Sequence, residues 1–261
     1  GISLASPFRY CNTSAFPIKF ANRFCASGGE WFSTKLIDIG KMTHDTSLFT
    51  FQLPEDKRNL TVPIGHNFSV QPTMNAPANG EPARRSYTPL LQERDDGTIR
   101  LAVKVYEQGS LTQYLSSLKV GDSVHMKGPK GRFDENFLFY GDDKKPKTLL
   151  MVAGGSGVTP LLQIIRGMYY RKSLMQRPTF LLYANKSIKD IMFHDELQRY
   201  ASKFNFTVHY FVEDLCGLPK EENMSEGQFT QEFFEEFFPK ADEDSRLMLT
   251  CGTYEMNKAA K

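Results

Sequence analysis

A strand, a glycine-rich loop and a helix follow one another between residues 149 and 167. Residues 149–153 form a continuous apolar run, which is typical of a parallel strand covered on both faces. Three glycines come next within four residues, and glycine lets the backbone approach a pyrophosphate closely. We predict that Thr159 caps the following helix and that Pro160 takes its first position. The N–H groups at this helix N-terminus suit a phosphate.

The loop residues that we predict to bind a dinucleotide are Gly154, Gly155, Ser156, Gly157, Thr159 and Pro160. The motif on its own is weakly specific, because Pro160 stands where a third glycine would complete it. The alternative interpretation is a tight strand-to-helix turn that binds no ligand.

The second half of the chain alternates strands with helices. The predicted strands cover residues 148–153, 179–184, 206–212 and 246–251. The predicted helices begin at Pro160, cover residues 194–204 and 230–237, and begin again at Glu255. Such alternation indicates a parallel sheet with crossover helices, in a Rossmann-like α/β domain.

The first half carries short β-rich runs and one short helix. The predicted strands cover residues 32–39, 46–53, 66–70, 99–106 and 123–127, separated by turn sequences. Strands at this spacing are typical of an antiparallel β-barrel. The chain is thus predicted to contain a tail (1–30), a barrel domain (31–140), a polar linker (141–147) and the α/β domain (148–261).

The composition excludes several classes of function. Hydrophobic residues make up 40% of the 261 residues, and the net charge of +2 is too small for a general nucleic-acid binder. No apolar run approaches the roughly 20 residues of a membrane-spanning helix, and no signal peptide is visible. The 4 cysteines lack zinc-like spacing, so we expect reduced thiols, an intracellular location and no metal site.

Residues 85–88, Arg-Ser-Tyr-Thr, have the chemistry to hold a flavin. The Arg85 guanidinium can bind a phosphate through two parallel hydrogen bonds. In an extended segment, Tyr87 can pack on the flavin or its ribityl chain while Thr88 hydrogen-bonds the ring edge near N5. Ser86 belongs to the same predicted site. Taken alone, these four residues also fit an ordinary edge strand.

A second strand and the helix after it supply further candidates. Residues 103–106 alternate, which sends Lys104 and Tyr106 to the face opposite Val103. Lys104 can meet a carboxamide or a phosphate in a cleft, or it can simply add solubility on an exposed strand. The start of the helix at residue 110 offers N–H groups to the pyrophosphate of FAD. The predicted cofactor-binding residues of this strand and helix are Val103, Lys104, Tyr106, Gly109, Ser110, Leu111 and Thr112.

Two acidic residues and one cysteine complete the candidate site. Glu213 and Asp214 end a predicted strand, where an acidic side chain can bind the adenosine ribose of NADH and disfavour a 2′-phosphate. A solvated acidic turn is the alternative. Cys251 ends the last predicted strand, where it either lies beside the nicotinamide or acts as a small buried apolar residue.

Together these motifs resemble the NADH–cytochrome b5 reductase family of the ferredoxin-reductase-like flavoproteins, over nearly all of residues 31–258. The matching segments are Arg85-Ser86-Tyr87-Thr88, Lys104-Val105-Tyr106, Gly109-Ser110-Leu111-Thr112, Ala153 to Pro160, Ala184-Asn185 and Cys251-Gly252. Ser110 departs from the family's Lys, and Thr253 departs from its Pro, which is expected to loosen the turn after Cys251. The family continues past this point, so the second domain is expected to lack its C-terminal end.

The resemblance implies an enzyme with FAD in the barrel domain and NADH in the α/β domain. It implies that a hydride passes from NADH to the flavin, and that a haem protein such as cytochrome b5 then receives single electrons. Thr88, Lys104 and Cys251 are the catalytic candidates, with Cys251 positioning the nicotinamide rather than attacking it. Gly252 and Met256 join the cofactor-binding residues.

The resemblance leaves the electron acceptor open. The alternatives are a reductase module of a larger fusion, such as a nitrate-reductase-like or desaturase-linked protein, and an NADPH-dependent ferredoxin-reductase-like enzyme. Lys127, Lys130 and Arg132 suit an acidic docking face on the acceptor, or they form a solvated basic loop. We expect a monomer in the cytoplasm or on the cytosolic face of a membrane, which it would contact only through segments absent from this sequence.

Overall fold

The computed structural model describes residues 29–73, 83–92, 96–131, 133, 146–171, 176–238, 246–253 and 256. These ranges contain two sheets, an antiparallel one in the first half of the chain and a parallel one in the second half. Nearly all of the predicted tail, most of the predicted linker, and Glu255 lie outside the described residues.

The first half folds into a six-stranded antiparallel sheet. Its strands are β1 (Phe32–Lys41), β2 (Thr46–Gln52), β3 (Asn67–Pro72), β4 (Arg85–Tyr87), β5 (Thr98–Lys104) and β6 (Ser123–Lys130). They are arranged in the order β4-β3-β6-β1-β2-β5. The N–H of Leu90, just after β4, donates to the oxygen of Arg100 in β5 at 2.9 Å, which links the two ends of this order. The sheet therefore closes, and the predicted antiparallel barrel is confirmed.

Alternate apolar side chains fill the interior of the barrel. Val103 of β5 and Phe68 of β3 are both fully buried there, as the two-residue period of a strand requires. Helix α1 (Ser110–Ser117) buries Leu111 and Leu115 in the same core. This packing fixes the helix on the barrel, and with it the position of the helix N-terminus.

The second half folds into a parallel sheet, as predicted, and the sheet has five strands, one more than the sequence pattern indicates. The strands are β7 (Thr148–Gly154), β8 (Thr179–Ser187), β9 (Phe206–Asp214), β10 (Met224–Glu226) and β11 (Arg246–Cys251), in the order β10-β9-β8-β7-β11. The helices are α2 (Val158–Tyr170), α3 (His194–Ala201) and α4 (Gln231–Phe237). No helix within the described ranges is both long and apolar enough to cross a bilayer.

Helix α2 begins earlier than the sequence suggests. A 3-10 turn, Gly155–Gly157, leads directly into Val158, so Gly157 occupies the N-cap position. The prediction that Thr159 caps the helix is therefore wrong. Pro160 becomes the third helical residue, where its missing N–H still costs no intrahelical hydrogen bond.

The two halves share one hydrophobic cluster. Ile64, Leu90 and Ala102 of the barrel pack in the same cluster as Leu161 and Ile165 of α2. The barrel is therefore docked against the helix that follows the glycine-rich loop.

Candidate active site

The glycine-rich loop is in direct contact with the end of β11. Strand β11 pairs with β7 in parallel, with Cys251 opposite Ala153. A β-carbon on Gly157 would overlap the carbonyl oxygen of Cys251 and would lie 3.0 Å from the nitrogen of Gly252. Packing therefore requires glycine at position 157. The structure brings together two predicted segments that are far apart in the sequence.

The other glycines of the loop have different surroundings. Gly155 has φ +49°, which glycine adopts readily, and a β-carbon on it would meet nothing within 4 Å. This open space beside bare backbone suits the approach of a pyrophosphate. A β-carbon on Gly154 would lie 2.8 Å from Sδ of Met256, so the Met256 side chain packs against Gly154.

The start of α2 can receive a negative charge. Neither a capping side chain nor an acidic residue occupies its first turn. The Thr159 hydroxyl donates to the oxygen of Ser156 at 3.1 Å and so stabilises the loop. The Ser156 hydroxyl also lies 3.5 Å from that of Tyr106, which is 46% exposed just after β5. Loop and barrel thus meet at Ser156 and Tyr106.

The predicted flavin segment forms β4 and the turn after it. Within the sheet β4 pairs with β3, with Arg85 opposite Val70 and Tyr87 opposite Phe68. Arg85 is exposed, and its guanidinium donates to the backbone oxygen of Arg84 at 2.8 Å. The guanidinium therefore has donors left for a phosphate.

The remaining side chains of this segment differ in exposure. Ser86 is exposed, whereas Tyr87 and Thr88 are half-buried. Burial raises the pKa of the Tyr87 hydroxyl to about 12, so it stays a hydrogen-bond donor at neutral pH. An exposed cation followed by half-buried polar side chains fits a ligand with phosphate at one end and a ring system at the other.

Helix α1 presents a second uncapped N-terminus. Gly109 occupies its N-cap position, and neither a capping side chain nor an acidic residue is present in the first turn. Thr112 accepts from the N–H of Tyr106 at 3.2 Å and donates to the oxygen of Gly109 at 2.9 Å, so it shapes the preceding loop. Leu111 anchors this turn in the barrel core, and Ser110 is exposed beside it. The site fits a phosphate group.

Lys104 joins the two domains. Its ammonium lies 2.7 Å from Oδ2 of Asp45 in the barrel and 2.5 Å from Oδ1 of Asp190 after β8. Burial alone would lower the pKa of Lys104, but hydrogen bonds and charges of Asp190 and Asp45 raise it. Burial alone would raise the pKa of the Asp45 and Asp190 carboxyls, but the hydrogen bond and the charge of Lys104 lower the pKa of each. The side chain of the neighbouring Val103 lies in the barrel core instead.

His44 lies beside the same two carboxylates. His44, Asp45 and Asp190 place possible metal-ligand atoms within 4.8 Å of one another. The Lys104 ammonium already bonds both carboxylates, so one of their two negative charges is compensated from within the protein. We refer to these four residues as the interdomain ion cluster.

Cys251 is half-buried and in the thiol form. Burial raises the pKa of its thiol, which favours the neutral form over the nucleophilic thiolate. Oγ1 of Thr253 accepts a hydrogen bond from the N–H of Met256 at 3.3 Å. Residues 254 and 255 lie outside the described residues, so the expected loosening of this turn stays a prediction.

Both acidic candidates are exposed at the carboxyl end of β9. Oδ1 of Asp214 accepts from the N–H of Cys216 at 2.6 Å, in a turn where Cys216 has φ +52°. Oε1 of Glu213 lies 3.5 Å from the side-chain nitrogen of Gln228. The Asp214 carboxylate is thus committed to the turn, and that of Glu213 is more open to a ligand.

Two residues of α2 contact the barrel, and the sequence did not single them out as functional. The side chain of Gln163 accepts from the N–H of Gly65 at 2.6 Å and donates to the oxygen of Pro89 at 3.2 Å. Arg166 donates to the oxygen of Leu91 at 3.0 Å. Gln163 interrupts an otherwise apolar run of the helix, and a buried amide in such a run indicates specific hydrogen bonds.

Two family models match the two halves of the chain. The oxidoreductase FAD-binding domain matches residues 33–134, and the oxidoreductase NAD-binding domain matches residues 151–261. NADH-cytochrome b5 reductase 1 of Cryptococcus neoformans is 36% identical over 240 residues, which cover 89% of this chain and 77% of that protein. The chain belongs to the NADH–cytochrome b5 reductase family. It is an NADH-dependent oxidoreductase with an FAD-binding barrel and an NAD-binding α/β domain.

This NADH–cytochrome b5 reductase family member also resembles parts of larger proteins. Nitrate reductase [NADH] of Hordeum vulgare is 32% identical over 242 residues, which cover 87% of this chain but 26% of that protein. The solved cytochrome b5 reductase domain of Ulva prolifera nitrate reductase superposes with a TM-score of 0.74 at 27% identity, covering 88% of this chain and 89% of that one. The two-domain unit therefore also occurs as one module of a longer protein.

Proposed function

We propose that this reductase takes a hydride from NADH and delivers single electrons to a haem protein such as cytochrome b5. One observation carries the proposal, namely that the glycine-rich loop contacts both the end of β11 and Tyr106 of the barrel. A bound flavin links a two-electron donor to a one-electron acceptor. The residues of the chain have to bind, orient and shield the reactants.

The barrel residues fit FAD. Arg85 and the N-terminus of α1 at Ser110 bind its diphosphate, since both present unpaired donors and no acidic side chain. Tyr87 packs on the ring system or the ribityl chain. Thr88 hydrogen-bonds the ring edge near N5 and so orients it for hydride transfer.

The α/β residues fit NADH. Gly155 and Ser156 bind the pyrophosphate through their backbone, where no side chain obstructs the approach. Glu213 binds the adenosine ribose and repels a 2′-phosphate, which argues against the NADPH-dependent alternative. Cys251 borders the nicotinamide and positions it, because a buried neutral thiol packs well and attacks poorly.

For Lys104 we propose a positioning role between the two domains. Its ion pairs with Asp45 and Asp190 hold the barrel and the α/β domain together. A direct contact to a carboxamide or a phosphate stays a prediction.

For the acceptor we propose an acidic docking face that meets the basic end of β6. Lys127 and Lys130 are both half-buried there, and Lys130 donates to the Ser69 hydroxyl. Lys127 is therefore the better candidate, while Arg132 lies outside the described residues. That the protein is an intracellular monomer stays a prediction.

A second candidate function is that of a reductase module in a larger protein. The barley nitrate reductase favours it, because the matched region is 26% of that protein. The flavin chemistry would be unchanged, and the acceptor would be another domain of the same chain.

An absorbance experiment tests the proposed function. The purified protein should be yellow or take up added FAD, and NADH should bleach the flavin band under anaerobic conditions. Oxidised cytochrome b5 should then be reduced faster than ferricytochrome c, which has a basic rather than an acidic docking face. A folded protein that stays colourless with added FAD would contradict the proposal. Bleaching by NADH without any preference for cytochrome b5 would favour the second candidate function, a reductase module in a larger protein.

A further inference from the structure

The side chain of Gln163 connects helix α2 to two separate segments of the barrel, at Gly65 and Pro89. It is 1% exposed, and both ends of its amide are used across the domain boundary. Oε1 accepts from the N–H of Gly65 at 2.6 Å, and Nε2 donates to the oxygen of Pro89 at 3.2 Å. A buried amide with both groups bonded holds its partners in one geometry, because breaking either bond would leave a buried polar group unpaired.

The two barrel partners are themselves fixed in place. Pro89 directly follows Thr88, the proposed contact to the flavin edge, and the same segment is held again by Arg166 through the oxygen of Leu91 at 3.0 Å. Gly65 has φ +79°, and a β-carbon on it would overlap the Phe133 side chain. Gln163 is therefore hydrogen-bonded to backbone groups of Gly65 and Pro89 that have little freedom to move.

The other end of the connection is the dinucleotide loop. Gln163 lies six residues after Gly157 on the same helix, α2. At about 1.5 Å per residue, this places Gln163 roughly 9 Å along a rigid helix from the loop. The Gln163 amide thus connects the helix that follows the loop to the segment that follows Thr88.

We propose that Gln163 is a positioning residue for hydride transfer, which sets the separation between the flavin edge and the nicotinamide. This rests on the proposed function, since it assumes that the two ligands occupy these two places. A misplacement of about 1 Å between reacting groups can slow a reaction by about 100-fold. The rate of flavin reduction should therefore respond to Gln163 more strongly than the binding of either ligand does.

Stopped-flow reduction by NADH tests the proposal in the FAD-loaded protein. Gln163→Met keeps the size of the side chain and removes both hydrogen bonds. We expect its limiting rate of flavin reduction to fall about 10- to 100-fold, with NADH affinity changed less than about threefold and a larger isotope effect with 4-deuterated NADH. Gln163→Glu keeps an acceptor for Gly65, but its second oxygen can donate to Pro89 only when the carboxyl is protonated, so its rate should lie below that of wild type and fall further as the pH rises.

The matched control is Gln198→Met. Gln198 also uses its amide in hydrogen bonds, to Glu221 and Asn223, but all of them lie within the α/β domain. It should reduce its flavin at the wild-type rate. An unchanged limiting rate in Gln163→Met that retains FAD would overturn the proposal, as would an equal loss in Gln198→Met. If Gln163→Met fails to fold, Gln163→Glu takes its place in the test. A limiting rate of Gln163→Glu equal to that of wild type would then overturn the proposal. Failure of the wild type itself to be reduced by NADH would instead refute the proposed function.

Discussion

Gly157 touches the backbone of Cys251 so closely that no side chain fits between them. The carbonyl carbon of Cys251 would lie 2.6 Å from a β-carbon on Gly157. Because both partners are backbone, neither can move aside as a flexible side chain would. The contact joins the proposed pyrophosphate site to the proposed nicotinamide site.

Gly157→Ala should therefore disturb both sites. Overpacking of this kind costs about 1–3 kcal/mol, and the loop has to move away from β11 to accept the methyl group. We expect a lower melting temperature and a higher KM for NADH, with FAD retained. The control is Gly40→Ala in β1, whose β-carbon would meet Leu48 at an ordinary 3.9 Å. Equal behaviour of the two variants would contradict the packing argument.

Arg85→Ala should lose FAD. Hydrogen bonds to a charged group contribute about 1.5–3 kcal/mol, so FAD affinity should fall about 10- to 100-fold. The ratio of flavin to protein absorbance after gel filtration measures the loss. Arg84→Ala is the matched control, because Arg84 lies over the Trp31 ring at 5.1 Å and should not affect the flavin. A fully yellow Arg85→Ala protein would remove Arg85 from the site.

Cys251→Ser should slow flavin reduction and keep FAD. Serine is smaller and more strongly hydrated than a thiol, so it packs less well against a nicotinamide. We expect a reduction rate about tenfold lower, or about 1.4 kcal/mol, in stopped-flow measurements with NADH. Cys216→Ser, at the turn after β9, should keep the wild-type rate. If both variants match the wild type, Cys251 has no role in positioning.

Glu213→Thr should shift coenzyme preference towards NADPH. The change removes a carboxylate that repels a 2′-phosphate, so the ratio of kcat/KM for NADPH to that for NADH should rise by at least about tenfold. Asp214→Asn serves for comparison, since asparagine can still accept from the N–H of Cys216 and preserve the turn. A larger shift in Asp214→Asn would assign the ribose contact to Asp214 instead.

The interdomain ion cluster should make stability depend on pH at both extremes. Asp190 has a pKa lowered from 3.8, so its contribution is present above pH 3.8 and is lost as the pH falls through the lowered value. Lys104 has a pKa raised from 10.5, so its contribution is complete below pH 10.5 and is lost as the pH rises through the raised value.

Asp190→Asn should therefore lower the free energy of unfolding by about 1–3 kcal/mol between pH 5 and 9, with a smaller difference in strong acid. Thermal melts across this range measure the effect. Asp96→Asn removes an exposed ion pair with Arg100 within the barrel, and it should cost at most about 1 kcal/mol. A constant difference down to pH 2 would show that Asp190 does not act through its charge.

Much of the fold follows from local patterns in the sequence. The apolar run before Gly154 predicts β7, and the alternation at residues 103 and 104 predicts that Val103 faces away from Lys104, as it does in the barrel core. Strand β10 was missed, because three residues are too few to show a period. The N-cap of α2 was misplaced, because a Thr-Pro pair is also compatible with the second and third helical positions.

The sequence likewise predicts one part of the candidate site and leaves another part open. Motifs that act through a few neighbouring residues, such as the glycine-rich loop and Arg85 to Thr88, can be read from the sequence because their backbone requirements are local. The partners of Lys104 and Gln163 cannot, since Asp190 and Gly65 lie on the opposite domain. The sequence by itself determined two domains, their strand patterns and the family. Only the tertiary structure decided how barrel and α/β domain dock, because that geometry depends on contacts between side chains that lie far apart in the sequence.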